Sequence, residues 1–91
     1  MTEVKIRKVG YSQKFLKQLK KAPLPIQVKF RDRFGIFIKD QFDSQLNNHL
    51  LTGKFKGYRS INITGDWRAI YIQDGDKIVF VLLGTHSQLY K

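Results

Sequence analysis

Residues 58–83 read YRSINITGDWRAIYIQDGDKIVFVLL. Three runs rich in β-branched and aromatic residues, Tyr58–Ile63, Trp67–Gln73 and Lys77–Leu83, are separated by turn residues and predict an antiparallel meander. Asp74-Gly75 at the second joint is a strong hairpin signal, because glycine accepts the positive φ a tight turn demands. Thr64-Gly65 at the first joint is a weaker one. A two-residue loop there puts Arg59, Ile61, Ile63, Asp66, Arg68 and Ile70 on one face, with Tyr58, Ser60, Asn62, Trp67 and Ala69 on the other. Neither face is cleanly polar, and a longer turn exchanges them. Gly84 ends the last strand, and His86–Tyr90 can form one helical turn.

Upstream, Val4-Lys5-Ile6-Arg7-Lys8-Val9 alternates apolar and basic residues as a half-buried strand does, with Gly10 ending it. Ser12 can cap a helix whose apolar stripe is Phe15, Leu16 and Leu19 and whose other face carries Lys14, Lys17, Lys20 and Lys21. Pro23 and Pro25 interrupt it and introduce a second helix from about Pro25 to Phe42. Ile26, Phe30, Phe34, Phe37 and Ile38 line one side of that helix at core spacing. Gly35 within it costs about 1 kcal/mol relative to alanine, which suggests a close packing contact. From Asp43 to Gly57 periodicity stops and a long loop is expected. The order is strand, two helices, three strands and a short terminal helix. It predicts a single α+β domain over residues 1–91, with the helices on one face of an antiparallel sheet.

Composition narrows the function. There are no cysteines, which excludes a disulfide framework, a thiolate metal site and a cysteine nucleophile, and fits a reducing cytoplasm. The longest apolar run, Ile78–Leu83, is too short to span a membrane, so a soluble protein with no membrane partner is expected. Seventeen Lys and Arg against seven Asp and Glu give a net charge of +10, which favours a polyanionic partner, nucleic acid or acidic protein. Eleven of the cations and only three of the acids fall in residues 1–42. That half reads as a grip on phosphates, and the remainder as the acting half.

In an up-down-up meander, the end of the first strand, the start of the second and the end of the third share one edge. Asn62, Asp66 and Gly84-Thr85-His86 therefore meet there. If the His49 loop folds over that edge, two histidines, an aspartate and Arg68 surround one small volume. General acid–base catalysis needs such a set: one group to take a proton and another to give one near neutral pH. Each residue has a plainer alternative. His86 can cap a turn, Asp66 can be a turn residue, Arg68 an exposed strand cation, and Lys54 and Lys56 ordinary loop charges. Tyr90 is either terminal packing or a platform for a base. Two histidines without cysteine make a poor metal site, and neither a metal nor a cofactor is expected.

The run His49-Leu50-Leu51-Thr52-Gly53, then Phe55, Lys56-Gly57-Tyr58-Arg59, Asp66-Trp67, Ile70-Tyr71, Gly84-Thr85-His86 and Leu89-Tyr90 resembles the RelE/YafQ toxins of bacterial toxin–antitoxin systems. Length, element order and charge agree across essentially the whole chain. The resemblance implies a RelE-like microbial RNase fold and a ribosome-dependent endoribonuclease that cuts mRNA in the decoding site. It implies an antitoxin that neutralises the toxin, which would be monomeric when free and hetero-oligomeric when bound. It maps acid–base roles onto His86, Asp66 and His49, a phosphate contact onto Arg68, and a stacking aromatic onto Tyr90. Lys54, Lys56, Arg59 and Asn62 would then help to position RNA. An acidic antitoxin and ribosomal RNA are the expected partners. Leu50 stands where related sequences commonly have proline, and Ser60 and Asn62 where they can have aspartate and histidine. The rival on the same scaffold is a non-catalytic inhibitor resembling the ParE toxins that poison gyrase, or a basic binding module.

Overall fold

The computed structural model describes residues 8–90. Strand β1 (Lys8–Tyr11) leads into helices α1 (Gln13–Lys21) and α2 (Leu24–Lys39). Strands β2 (His49–Leu50), β3 (Arg59–Asn62), β4 (Trp67–Asp74) and β5 (Lys77–Thr85) follow, and α3 (His86–Leu89) comes last. Short 3-10 turns at Ser44–Leu46 and Gly53–Phe55 flank β2. The class is α+β, as the sequence predicts. The sheet order is β1-β5-β4-β3-β2, with β1 parallel to β5 and every other pair antiparallel. The sheet is thus mostly, not wholly, antiparallel; no tight turn joins β1 to β5, so no local signal sets their relative direction.

Local details depart from expectation for identifiable reasons. Much of the predicted first strand lies outside the described residues, and the described part runs through Gly10 to Tyr11, so Gly10 does not end it. Ser12 does cap α1, its Oγ accepting from the Phe15 N–H at 3.0 Å. Helix α2 stops at Lys39 rather than Phe42, because Asp40 turns extended and its Oδ1 accepts from the Phe42 N–H at 3.0 Å. The close contact expected at Gly35 is absent: a Cβ built there meets nothing within 4 Å. Gly35→Ala should therefore stabilise the fold by about 0.4–1 kcal/mol through the unfolded chain's lost freedom, seen as a higher urea midpoint. A lower midpoint would contradict the open surroundings.

The turn after β3 decides which side chains share a face. Asn62 pairs with Arg68 and Ile61 with Ala69, and the Ile63 N–H donates to the Trp67 carbonyl at 2.9 Å. The loop is therefore Thr64-Gly65-Asp66, one residue longer than the two-residue reading, and the faces exchange as a longer turn requires. Ile61, Ile63, Ala69 and Tyr71 now face the helices, whereas Ser60, Asn62, Arg68 and Ile70 face away. At the next joint Asp74 pairs with Lys77, so the two turn residues are Gly75 and Asp76, with Gly75 at φ 61°. That is the first central position, where a type II′ turn takes glycine.

The main core lies between the sheet and α1 and α2 and is built on aromatic rings. Phe80 stands at its centre, with ring centroids of Phe30, Phe37 and Tyr71 each 5.5 Å away. Between Ile70 and Tyr71 the β4–β5 register shifts, leaving Val81 as an extra residue. This bulge lets both Phe80 and Leu83 reach the same core despite their odd spacing. A smaller cluster of Leu51, Ile70 and Leu89 covers part of the opposite face, joined by Phe55, Tyr58 and Tyr90.

The stretch predicted as an unbroken loop is pinned to the sheet. The Tyr71 hydroxyl, fully buried, accepts from Gln41 Nε2 at 2.9 Å and Asn48 Nδ2 at 2.7 Å. Asn48 Oδ1 in turn accepts from Arg59 Nε at 2.8 Å, and the Arg59 guanidinium lies 5.2 Å from the Phe42 ring centroid. These bonds set the path of the chain just before His49. Tyr71→Phe removes the shared acceptor and should cost about 1–3 kcal/mol, because two amides lose a partner. An unchanged urea midpoint would show that water replaces the hydroxyl without loss.

Candidate active site

The sheet end that carries the turn Thr64-Gly65-Asp66 also carries the start of α3. Trp67 pairs with Thr85 and Arg68 with Gly84, and the His86 N–H donates to the Asp66 carbonyl at 2.9 Å. A capping box fixes the entry into α3. Thr85 Oγ1 accepts from the Gln88 N–H at 3.2 Å, while Gln88 Oε1 accepts from the Thr85 N–H at 2.9 Å. The Thr-x-x-Gln spacing that produces it is visible in the sequence, and it places His86 at the first position of the turn. Gly84 leaves room for the packed turn: a Cβ there would lie 3.1 Å from Gln88 Oε1 and 3.3 Å from Leu89 Cδ2, tight contacts that those side chains would have to yield to.

β2 brings His49 to the same face. His49 pairs with Ser60 and Leu50 with Arg59, so the second histidine stands beyond β3 at the sheet edge. Its Nδ1 lies 2.8 Å from the Asn47 carbonyl oxygen, which can only accept. The bond therefore requires a protonated Nδ1 and leaves Nε2 of the neutral ring as an acceptor. Asn47 aims that carbonyl from left-handed backbone, φ 47° and ψ 46°, a conformation asparagine tolerates better than most residues.

The two elements enclose a cleft of about 320 Å³ lined by Asn47, His49, Leu50, Leu51, Thr52, Arg68, His86 and Tyr90. The cleft is open and both histidines are exposed, so a polymer could reach them. Arg68 is half-buried. Its Nη1 donates to the carbonyls of Thr64, Gly65 and Trp67 at 3.0, 3.1 and 3.2 Å. None of those bonds uses Nε or Nη2, whose N–H groups, among the described residues, remain for an anion. The Tyr90 ring centroid is 4.7 Å from that of His86 and 5.9 Å from that of Phe55, and Lys54 Nζ stands 5.2 Å from the Phe55 centroid. An aromatic chain thus links the cleft to the basic Gly53–Phe55 turn.

Four of the residues named from sequence meet in this cleft: His49, Arg68, His86 and Tyr90. Lys54 and Lys56 are exposed, in and just after the Gly53–Phe55 turn that follows the lining residue Thr52. Three others are placed elsewhere. Asp66 shares the sheet end but not the cleft lining, and its backbone, rather than its carboxylate, holds His86. Arg59 faces the helix side, engaged with Asn48 and Phe42. Asn62 lies opposite Arg68, with its Oδ1 buried and unpaired among the described residues, and the Oγ of fully buried Ser60 is likewise unpaired. Asn47 and Thr52 line the cleft without having been singled out; the sequence marks Asn47 only as a loop residue.

The family described as "Bacterial toxin of type II toxin-antitoxin system, YafQ" matches residues 7–91. A Haemophilus influenzae protein named "Putative toxin YafQ" is 35% identical over 97% of this chain and 96% of its own length. Among solved structures, YafQ from E. coli strain BL21(DE3) superposes with a TM-score of 0.80 at 26% identity, covering 93% of this chain and 99% of that one. YafQ in the E. coli DinJ–YafQ toxin–antitoxin complex gives a TM-score of 0.78 at 27% identity over 94% of this chain and 99% of that one. The open cleft and the basic α+β scaffold thus occur in a chain whose described length is matched almost end to end, and the chain belongs to the YafQ family of type II toxin–antitoxin toxins.

Proposed function

We propose that this toxin cuts messenger RNA bound to the ribosome, with no metal in the chemistry, and is neutralised by an acidic antitoxin. The observation that carries the reading is the convergence of His49, Arg68, His86 and Tyr90 on one open cleft. RNA supplies its own nucleophile, so cleavage needs only a base, an acid, a cation and in-line geometry. His49 Nε2 takes the proton of the 2′-OH, and the 2′-oxygen attacks the adjacent phosphorus. Arg68 offsets the added negative charge of the phosphorane. The bond to the 5′-oxygen breaks as His86 protonates that oxygen, leaving a 2′,3′-cyclic phosphate. Tyr90 stacks on a base beside the cut. Asp66 acts through its hold on the His86 backbone.

Lys54 and Lys56 guide the message. The exposed Lys14, Lys17, Lys20 and Lys21 of α1 grip ribosomal RNA, which makes the cytoplasm the place of action and binding strongly salt-dependent. The antitoxin partnership rests on the family's membership of type II toxin–antitoxin systems and on the DinJ–YafQ complexes among its structural relatives. The discriminating experiment presents the purified chain with ribosome-bound mRNA and, separately, with gyrase in a supercoiling assay. Cut message with unaffected supercoiling is the expected result. Intact message with inhibited gyrase would overturn the proposal in favour of a ParE-like action.

A further inference from the structure

A second hollow, an open groove of about 370 Å³, lies across α3 from the cleft. Successive residues of a helix turn through roughly 100°, so His86 and Gln88 leave α3 on opposite sides. His86 and Tyr90 line the cleft. Gln88 and Leu89 line the groove, together with Trp67, Leu83 and, from α1, Gln18 and Lys21. Trp67 is half-buried and packed on the main core, which makes its ring a fixed wall of the groove. The two glutamines are held by what they accept. Gln18 Oε1 takes the Leu83 N–H at 2.8 Å, and Gln88 Oε1 takes the Thr85 N–H at 2.9 Å. A backbone N–H can be met only by the amide oxygen, so both amides have one possible orientation. Among the described residues each Nε2 is left as a donor at the groove, and Lys21 adds a positive charge with three more donors. No acid among the described residues lines it.

We propose that this groove takes an unstacked base of ribosomal RNA, guanine in preference to adenine; the inference rests on the ribosome binding proposed above. Three features select the occupant. The apolar walls include an indole, and every base has a π-face that stacks on an aromatic ring. The polar rim only donates, so it suits a base edge that only accepts. Guanine presents N7 and O6, both acceptors, whereas adenine sets a donor amine beside its N7. The surroundings supply phosphate contacts: Lys14, Lys17 and Lys21 stand three or four residues from Gln18 or one another, so one face of α1 carries them all. The lysine stripe thus runs into the groove. A carboxylate from a protein partner would satisfy the donors but leave the indole wall uncovered. With a base seated there, the four-residue α3 is anchored to the ribosome on one side and presents His86 to the message on the other. The anchor fixes where the cleft sits relative to the strand it cuts.

Trp67 is the only tryptophan in the chain, so its fluorescence reports on the groove directly. The full chain is titrated with guanosine 5′-monophosphate, adenosine 5′-monophosphate and inorganic phosphate, and its affinity for ribosomes is measured separately. The guanosine nucleotide should quench Trp67 saturably, the adenosine nucleotide should bind at least about fivefold more weakly, and phosphate should have no effect. Gln18→Glu keeps an oxygen for the Leu83 N–H but puts a negative acceptor where the donor stood. It should weaken binding of both the guanosine nucleotide and the ribosome about tenfold or more. Gln13→Glu makes the same charge change on α1 outside the groove and should do much less to either. Absence of saturable quenching, quenching by phosphate, equal affinity for the two nucleotides, or equal effects of the two glutamates would overturn the base site. So would a Gln18→Glu chain that binds ribosomes normally but its antitoxin weakly, which would assign the groove to a protein partner. A chain that takes the guanosine nucleotide in the groove but binds no ribosome would overturn the ribosomal reading and, with it, the ribosomal occupant.

Discussion

His86→Ala should slow cleavage of ribosome-bound message by about 10²–10⁴-fold, the contribution of a positioned general acid. The side chain is exposed at the first position of a capped turn, where its backbone N–H, kept in the variant, makes the bond to the Asp66 carbonyl. Folding should therefore be unaffected, and a loss of rate reports chemistry. His86→Gln refines the result. Glutamine can donate a hydrogen bond but cannot deliver a proton to the leaving oxygen, so it should stay close to the alanine rate in single-turnover assays. Wild-type cleavage by either variant would remove His86 from the mechanism.

The largest effect on stability should come from Phe80→Ala. Six rings surround Phe80: Tyr11 at 6.0 Å, Phe15 at 5.6 Å, Phe30, Phe37 and Tyr71 at 5.5 Å, and Phe34 at 6.1 Å between centroids. Neighbours drawn from β1, α1, α2 and β4 cannot all move inward together, so most of the ring's volume would remain as a cavity. The expected cost is about 3–5 kcal/mol, against a total of about 5–15 kcal/mol for a typical domain. In a chain of this size that lowers the melting temperature by at least about 12 °C. Phe80→Leu, which refills part of the space, should recover much of the loss. A small effect of alanine would mean that the aromatic core collapses readily and does not hold the sheet to the helices.

The parts of the molecule legible in the sequence are those set by local chemistry. Ser12 caps α1 because a hydroxyl before an apolar-periodic run has few better uses. Gly75 opens the last hairpin because few other residues take its backbone angle. The meeting of His86 with the turn before Trp67 follows from strand order alone. What was hidden depended on counting across a joint. Thr64-Gly65-Asp66 closes as three residues rather than two, and that single residue sends Arg68 to the cleft side and Trp67 to the helices. The bulge at Val81 shifts the alternation of β5 in the same way, with no signature in its all-apolar run. β2 is two residues long, too short for any periodicity, yet it puts His49 at the cleft. Arg59 could not be told from an RNA contact, because Asn48 and Phe42, its partners, come from the stretch before β2. Asp66 was legible in place, at the turn that meets His86, but the backbone bond between the two leaves no mark in the sequence.

The identity of the nucleophile decides the mechanism. If His49 takes a proton from the message itself, cleavage needs the 2′-OH of the nucleotide on the 5′ side of the cut. The decisive measurement compares two messages on the ribosome, identical except that one carries a 2′-deoxy sugar at that nucleotide. The all-ribose message should be cut to a 2′,3′-cyclic phosphate, and the deoxy message should remain whole at that bond under the same conditions. Equal cutting of both would mean that water is the nucleophile, and would contradict the roles given to His49 and His86.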